Sequence, residues 1–471
     1  MVGAGLLLMT LGWASAGAAL AAPAENVAAR DRDEDVRAER LLPPVAAVAG
    51  IAGVVLGRRR RDARLGRVAR LAAPVLALAL ALAPLATIEP RPLNRQPSPD
   101  AQEYADAARH LAAGEGYVVT VRRGEVQPPR YPPGFSLALA PFALAGSYPA
   151  NVQLGAKLYA MLYLVVTCAA AWLVAGPLAA AVAVALVGSS PFAVRYASLV
   201  MSDAFAAALV VALLPLLSRP TTARLTVGGL LTGASILVRL SGVVTAAALL
   251  AALVTPTLSS GWRRLPWRAC LLVAVGGALG VLLVALQQWG TFGTPFMTGY
   301  QYYLPDVQSF SLAYPFDLRV RRDGSGIVAD SLDGALLRWA CPCPEDDPIF
   351  SFRAVTFYPL MLLGIFWIFV PPLTTIPGMV EVWRRRREPG PAFALWLTVL
   401  TVAFHLFYWY LGARFMAAPT TLLAIYSGAW VARLVERADE VTARRGVSGR
   451  GDDGAVLAGA GAPGADRSNT A

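Results

Sequence analysis

Cysteine is scarce in this sequence, with four in 471 residues, too few for a disulfide-built scaffold. Cys168 and Cys270 lie within apolar segments, and the Cys341-Pro342-Cys343 pair has no further Cys or His nearby to complete a zinc site, leaving a local redox or disulfide role as the most it suggests. Histidine is rarer still, His110 and His405 alone, so no Ser-His-Asp arrangement can be assembled with a spare imidazole in a globular domain. No Gly-rich phosphate loop stands beside a strand, which removes soluble nucleotide chemistry. Lysine is nearly missing. Lys157 is the only one, and the surplus of Arg, Ala and Gly reflects compositional bias more than a chemical demand. Charge is short as well, at 15% of residues against 56% hydrophobic, a balance that a soluble domain would have to hide. The chain therefore reads as an integral membrane protein.

What is present is a series of long apolar runs. A helix crossing the ~30 Å hydrocarbon layer needs about 20 such residues, and about twelve segments approach that criterion. They fall at 4–22, 41–57, 71–88, 153–175, 177–192, 200–217, 225–238, 242–255, 270–289, 354–374, 391–410 and 415–433. The expected fold class is all-α, a polytopic transmembrane helical protein. The net charge of +11 is clumped in Arg-rich loops and not spread over one basic face, a pattern that sets orientation and does not indicate nucleic-acid binding. Arg58, Arg59, Arg60, Arg61, Arg64, Arg67 and Arg70 between the second and third runs mark the cytoplasmic side. Threading from that anchor puts Arg219 and Arg224, then Arg263, Arg264 and Arg268, then Arg384 to Arg387 on the same side.

Two long polar stretches, roughly 89–152 and 290–353, then face outward in the plasma membrane, and outward chemistry is expected there. Residues 1–70 form an N-terminal membrane extension, 71–433 the main membrane region, and 434–471 a cytoplasmic tail. From about Val441 that tail is rich in Gly, Ala, Ser and Asp and is expected to be disordered. The run Gly5 to Ala22 ends in small residues like a cleavage site but lacks a positive n-region, which favours an uncleaved helix. Trp262, Trp267, Trp289, Trp383, Tyr408, Trp409 and Tyr410 fall at expected helix ends as interfacial anchors.

The first outer stretch holds Ser98-Pro99-Asp100-Ala101-Gln102-Glu103-Tyr104-Ala105-Asp106, continuing to His110 and Leu111. Pro followed by Asp is a helix-start signal, and with Asp100 as cap, Tyr104, Ala108 and Leu111 share one face of an amphipathic surface helix. Asp100 could be no more than that cap. Downstream, Arg130-Tyr131-Pro132-Pro133-Gly134 precedes another apolar run. The Asp-x-x-x-Tyr-Ala spacing and the Pro-Pro signature, in this order, resemble the GT-C glycosyltransferases, in the branch of the protein O-mannosyltransferases, the lipid A aminoarabinose transferases and RgtA/B/C/D-like enzymes. Looser matches extend the resemblance over about 71–433: Met201-Ser202-Asp203, Val238-Arg239-Leu240-Ser241-Gly242, Phe292-Gly293-Thr294-Pro295 and Gly412-Ala413-Arg414-Phe415. The chain departs from that branch at Ala101, where an Asp-Glu pair is common, and at Tyr131, where a Lys often precedes Pro-Pro; Arg130 stands one place earlier.

The resemblance implies a polyprenyl-phosphate sugar as donor and inverting transfer to the hydroxyl of an extracytoplasmic protein, lipid or polysaccharide acceptor. One carboxylate can serve as base. Asp100 matches the family's catalytic Asp, with Glu103 as the fallback. Asp203 would cost about 2.5–3.5 kcal/mol if exposed to lipid, so it is expected to face the polar site and bind acceptor or metal. A divalent cation, Mg or Mn, between Asp100 and Asp203 would match metal use elsewhere in GT-C enzymes, although two carboxylates do not identify a metal. Arg414 and Arg239 are candidates for the phosphate, with Arg130 a third, since guanidinium suits bidentate pairing; snorkelling to lipid head groups is the alternative for the first two. Tyr131 and Tyr104 come with the motifs as substrate-binding candidates. Tyr300, Tyr302 and Tyr303 fit sugar stacking and an interface belt equally. His405 beside Phe404, and His110 on the surface helix, read as packed residues.

Other functions remain in competition. About twelve helices also suit a transporter or lipid flippase, but those place polar groups near the bilayer midplane, whereas here helix centres are Ala, Leu and Val and the ionisable groups gather at helix ends. A glycoside hydrolase would need a carboxylate pair, which Asp100, Glu103, Asp106, Glu115 and Glu125 could supply, but the membrane architecture disfavours it. A non-catalytic scaffold is the third alternative.

Overall fold

The apolar run that follows the first Arg-rich segment forms one helix, α1 (Ala63–Thr87). The computed structural model describes residues 63–96, 99–120, 124–188, 190, 197–218, 220–257, 266–303, 318–321, 349–352, 372–407 and 413–455. Those residues are mostly helical. After α1 come α2 (Asp100–Ala112), a small antiparallel hairpin of β1 (Val119–Thr120) and β2 (Val126–Gln127), α3 (Gly134–Leu144) and the long α4 (Ala150–Gly188). Then follow α5 (Asp203–Val211), α6 (Leu214–Ser218), α7 (Thr222–Val238), α8 (Gly242–Val254), α9 (Trp267–Phe292) and α10 (Gly299–Tyr303). A second hairpin, β3 (Leu318–Arg321) with β4 (Ile349–Phe352), precedes α11 (Pro372–Arg384), α12 (Pro389–Leu406) and α13 (Ala417–Ala455).

Among the described residues four helices are long and apolar enough to cross a membrane: Ala150–Gly188, Trp267–Phe292, Pro389–Leu406 and Arg414–Ala438. Five shorter apolar helices accompany them, including Leu71–Thr87 and Thr222–Val238. The expected spans 4–22 and 41–57, most of 354–374, the cluster Arg58 to Arg61, the Cys341-Pro342-Cys343 pair and Tyr408 to Tyr410 lie outside the described residues. The expected pair 153–175 and 177–192 meets, as read, at Gly176, where the helical run Ala150–Gly188 kinks; the φ of +85° before Pro177 suits glycine alone. The first outer stretch is more structured than a loop, since it contains α2, the hairpin and α3. At the other end, α13 continues to Ala455, past the point where composition suggested disorder.

The main core joins α1, α4, α5, α8, α12 and α13 and is built largely of Ala, Leu and Val. Small residues let helices approach closely, and α7 and α9 use this most directly. Gly229 and Gly233 on α7 lie against Gly276 and Gly280 on α9, each pair in Gly-x-x-x-Gly spacing, so that an added Cβ would overlap the partner backbone. The outward side of α9 leaves Leu271, Val275, Leu282 and Leu286 exposed, as a lipid-facing helix should, with Trp267 and Trp289 exposed near its two ends.

A second, aromatic core roots α2 and α3 on the bundle through Tyr104, Tyr131, Phe135, Leu139, Val200 and Val238. Polar staples hold the connection before α2. Lys157 Nζ donates to the carbonyls of Ala86 (2.6 Å) and Ile88 (2.8 Å), satisfying the end of α1. Gln96 is buried with both amide ends used: Nε2 donates to Arg91 O (2.6 Å), and Oε1 accepts the Val200 N–H (2.7 Å). The segment leading to Asp100 is thereby tied to the one leading to Asp203.

Candidate active site

Asp100 is the first residue of α2, and Pro99, not Asp100, is the N-cap. Its carboxylate therefore does not cap the helix. Oδ2 accepts from Arg414 Nη1 at 2.8 Å, and Oδ1 accepts from the Tyr131 hydroxyl. Tyr104 and Ala108 are buried and Leu111 half-buried, as the shared face requires. Tyr104 is stacked on Tyr131 with centroids 4.6 Å apart and meets Phe135 edge-on at 5.1 Å, while its hydroxyl lies 3.0 Å from Ser202 Oγ. Tyr300 closes the aromatic group edge-on to Tyr131 at 5.4 Å. Burial pushes the phenols of Tyr104 and Tyr131 above their ordinary range, so both are hydroxyl donors at neutral pH.

Asp203 opens α5 and is 3% exposed. Its Oδ1 pairs with Arg239 Nη1, and Oδ2 is buried without a hydrogen-bond partner among the described residues. Arg239 follows the last turn of α7, and Arg414 sits in the short turn Ala413–Met416 ahead of α13. The two guanidiniums share one ring. Arg239 lies 5.0 Å and Arg414 5.3 Å from the centroid of Phe415, a contact that attracts cations and narrows their motion. His405 is buried against the same ring at 4.6 Å and bonds its own helix through Thr401 O (2.6 Å), as a packed residue would.

Below this group a cavity runs between α5, α7, α8, α12 and the start of α13. Asp203, Arg239, Arg414, Ser235, Thr401 and His405 are among its polar lining, and Ala206, Val210, Val244, Leu397 and Phe415 among its apolar lining.

The other expected residues lie elsewhere. Glu103 is buried on Arg130, accepting its backbone N–H at 3.0 Å, with Oε1 3.1 Å from Arg130 Nε. Burial raises the Glu103 pKa to about 7 against the lowering effect of Arg130. Tyr303 stacks on Arg130, and Tyr302 is largely exposed near Phe292. His110, at the far end of α2, is held between Glu115 (2.5 Å) and Thr120 (2.7 Å). The structure thus brings Asp100, Tyr131, Tyr104, Tyr300, Asp203, Arg239 and Arg414 into one neighbourhood and sets Glu103 and Arg130 beneath it.

Asp100 and Asp203, the proposed metal pair, each face an arginine, and among the described residues no group of three or more His, Cys, Asp or Glu is arranged to hold a metal. The donor set is that of two ion pairs, with Asp203 Oδ2 left without a hydrogen-bond partner among the described residues. Phe415 and Ser202 were quoted in motifs without a role, and Gln96 gave no signal, because its two contacts exist only after folding.

The fold and this site define a helical membrane protein with an arginine and carboxylate centre lining one cavity. Neither a family model nor a curated protein matches the chain. Among solved structures it is similar to ArnT from Cupriavidus metallidurans in the apo state, at 18% identity and TM-score 0.48 over 80% of this chain and 62% of that one. It is also similar to the same protein bound to undecaprenyl phosphate, at 16% and 0.49 over 78% and 60%. A third is the archaeal oligosaccharyltransferase AglB from Archaeoglobus fulgidus, in complex with an inhibitory peptide and a dolichol-phosphate, at 10% and 0.47 over 80% and 52%. The chain thus spans 52–62% of the length of these structures.

Proposed function

We propose that the protein is a membrane glycosyltransferase that moves a sugar from a polyprenyl-phosphate donor to an acceptor hydroxyl outside the cytoplasmic membrane. The observation that carries this reading is the pair Arg239 and Arg414 lining one cavity with Asp203, beside Asp100. Guanidiniums suit the oxygens of a lipid phosphate.

In the reaction Asp100 takes the acceptor proton as the acceptor oxygen bonds to the anomeric carbon. The carbon–oxygen bond to phosphate breaks on the opposite side, and polyprenyl phosphate leaves with the electron pair, inverting the centre. A carboxylate has about four acceptor positions, and Tyr131 and Arg414 use one on each oxygen, so Asp100 is oriented and still able to accept. Arg239 and Arg414 meet the negative charge that grows on the leaving phosphate, which removes the need for a separate acid. Asp203 holds Arg239 in place, and its open Oδ2 is suited to a hydroxyl of sugar or acceptor. Tyr131 and Tyr300 form an aromatic wall for the sugar ring.

The test is transfer by purified protein in detergent from a mixture of radiolabelled polyprenyl-phosphate sugars, with and without a chelator, comparing wild type with Asp100→Asn. Loss of a positioned base lowers the rate by about 10²- to 10⁴-fold, so near-abolished transfer with intact undecaprenyl-phosphate binding is the expected result. Equal activity in the variant removes Asp100 as base. Because both carboxylates are paired with arginine, the rate is expected to survive the chelator; its loss would restore the cation. Donor-dependent lipid movement in vesicles without transfer would make the protein a flippase.

A further inference from the structure

Glu103 and Arg130 both carry charges suited to substrate, yet the structure turns each toward the other. The Glu103 carboxylate is spent on one residue, taking the Arg130 N–H at 3.0 Å and standing 3.1 Å from its Nε. The Arg130 guanidinium then lies over the Tyr303 ring, 4.9 Å from its centroid. Tyr303 completes the circuit, its hydroxyl donating to Pro128 O (2.6 Å) and Gln127 Oε1 (3.2 Å). At the start of the same short helix Gly299 is pressed on the chain at Pro129 and Arg130, where a Cβ would come within 2.5 Å of Arg130 Cα. The next residue is Tyr131, whose hydroxyl bonds Asp100.

We propose that Glu103, Arg130 and Tyr303 form a latch that fixes segment 127–131 between α2 and α10 and thereby sets the Tyr131 hydroxyl on the Asp100 carboxylate. All three are positioning residues. The chemistry explains the choice of groups. A carboxylate bonding a backbone N–H fixes the main chain itself, and a charge-assisted bond of that kind is stronger than a neutral one. Glu103 is also 8% exposed and thus poorly placed to meet an acceptor. The inference rests on the glycosyl-transfer reading for its kinetic consequence and on geometry alone for its existence.

The test uses full-length protein with Glu103→Gln and Arg130→Gln, singly and together, measuring transfer and undecaprenyl-phosphate binding. Misplacing a catalytic group by about 1 Å can cost ~10²-fold, so each single variant is expected to lower kcat by about 10- to 100-fold with donor KM and Kd unchanged. The double variant is expected to be no worse than the more damaging single one, as for residues acting as a unit. A raised Kd in Arg130→Gln with normal kcat would overturn the latch and make Arg130 a phosphate ligand. Normal kcat in both single variants would overturn it as well. Tyr303→Phe removes only the hydroxyl bonds and serves if the charge variants do not fold; a smaller fall in kcat at unchanged Kd supports the latch, and no fall counts against it. If wild type transfers no sugar, the glycosyl-transfer reading fails by itself. Amide hydrogen exchange over 127–131 then decides the latch, faster in the variants if it exists and unchanged if it does not.

Discussion

Two clusters of arginines and carboxylates stand about a bilayer's thickness apart along one helix, and they are built to different ends. Arg414 precedes α13 and Arg433 lies within it, 19 residues further on, which at ~1.5 Å per residue is about 28 Å, close to the hydrocarbon thickness of a bilayer. Around Arg433 the carboxylate is outnumbered. Glu381 is fully buried, with Arg384 at 3.0 Å, Arg385 at 3.7 Å and Arg433 in contact on its other oxygen. Arg385 also binds Glu388 at 2.5 Å and holds that carboxyl below its ordinary range. This cluster ties α11 to α13 and faces no cavity among those described. Around Arg414 each carboxylate meets one arginine among the described residues, Asp203 Oδ2 is left without a hydrogen-bond partner there, and the group lines a cavity. The same residue types serve cohesion where they saturate each other and chemistry where they leave capacity unused.

The comparison breaks most readily at Glu381. Glu381→Gln removes the fully buried carboxylate on which the partly exposed Arg384, Arg385 and Arg433 converge, and hydrogen bonds to charged groups contribute about 1.5–3 kcal/mol each, so a marked fall in thermal midpoint is expected while transfer per folded molecule stays normal. A loss of activity without loss of stability would place function at both ends. Smaller is the effect of Arg414→Gln or Arg239→Gln. Hydrogen bonds to charged groups contribute about 1.5–3 kcal/mol, so undecaprenyl-phosphate binding should weaken by roughly 10- to 100-fold, read by titration in detergent, with melting lowered in Arg239→Gln, which strands the buried Asp203. Unchanged binding in both would leave the cavity without its proposed ligand.

The smallest expected effect is one of pH. Burial raises Glu103 from 4.5 to about 7 in the folded chain. Between those values the unfolded state has lost the proton and the folded state retains it, so the stability of the α2 region falls as pH rises through that window. Hydrogen exchange of α2, corrected for intrinsic rates, should show protection decreasing from pH 4.5 to 7 in wild type and a flatter profile in Glu103→Gln. Identical profiles would mean that Glu103 is not the titrating group.

Much of this was legible in the residues. The apolar runs gave α7, α8, α9 and α12 within a few residues, because burial in lipid leaves a long, one-dimensional signal. Asp100, Tyr131, Asp203, Arg239 and Arg414 were each singled out from short motifs far apart in the chain. Their pairing was not legible. Asp100 and Arg414 are separated by more than 300 residues, and no local pattern states which arginine meets which carboxylate. Nor could spacing show that Pro99 would cap α2 and release Asp100. Arg130 is the clearest case: next to a Pro-Pro signature it reads as a phosphate ligand, and folding sets it on Glu103 and over the Tyr303 ring.

By itself, then, the sequence determined that the chain is helical and suited to a membrane, because apolar composition and length act locally along each segment. It also limited the chemistry to a few carboxylates, arginines and tyrosines near helix ends, because charges are expelled from helix centres. Only the tertiary structure decided which of them share a cavity and which are consumed in holding the fold. That division depends on distances of about 3 Å between residues remote in sequence, and such distances are set by the packing of whole helices, not by any residue's neighbours along the chain.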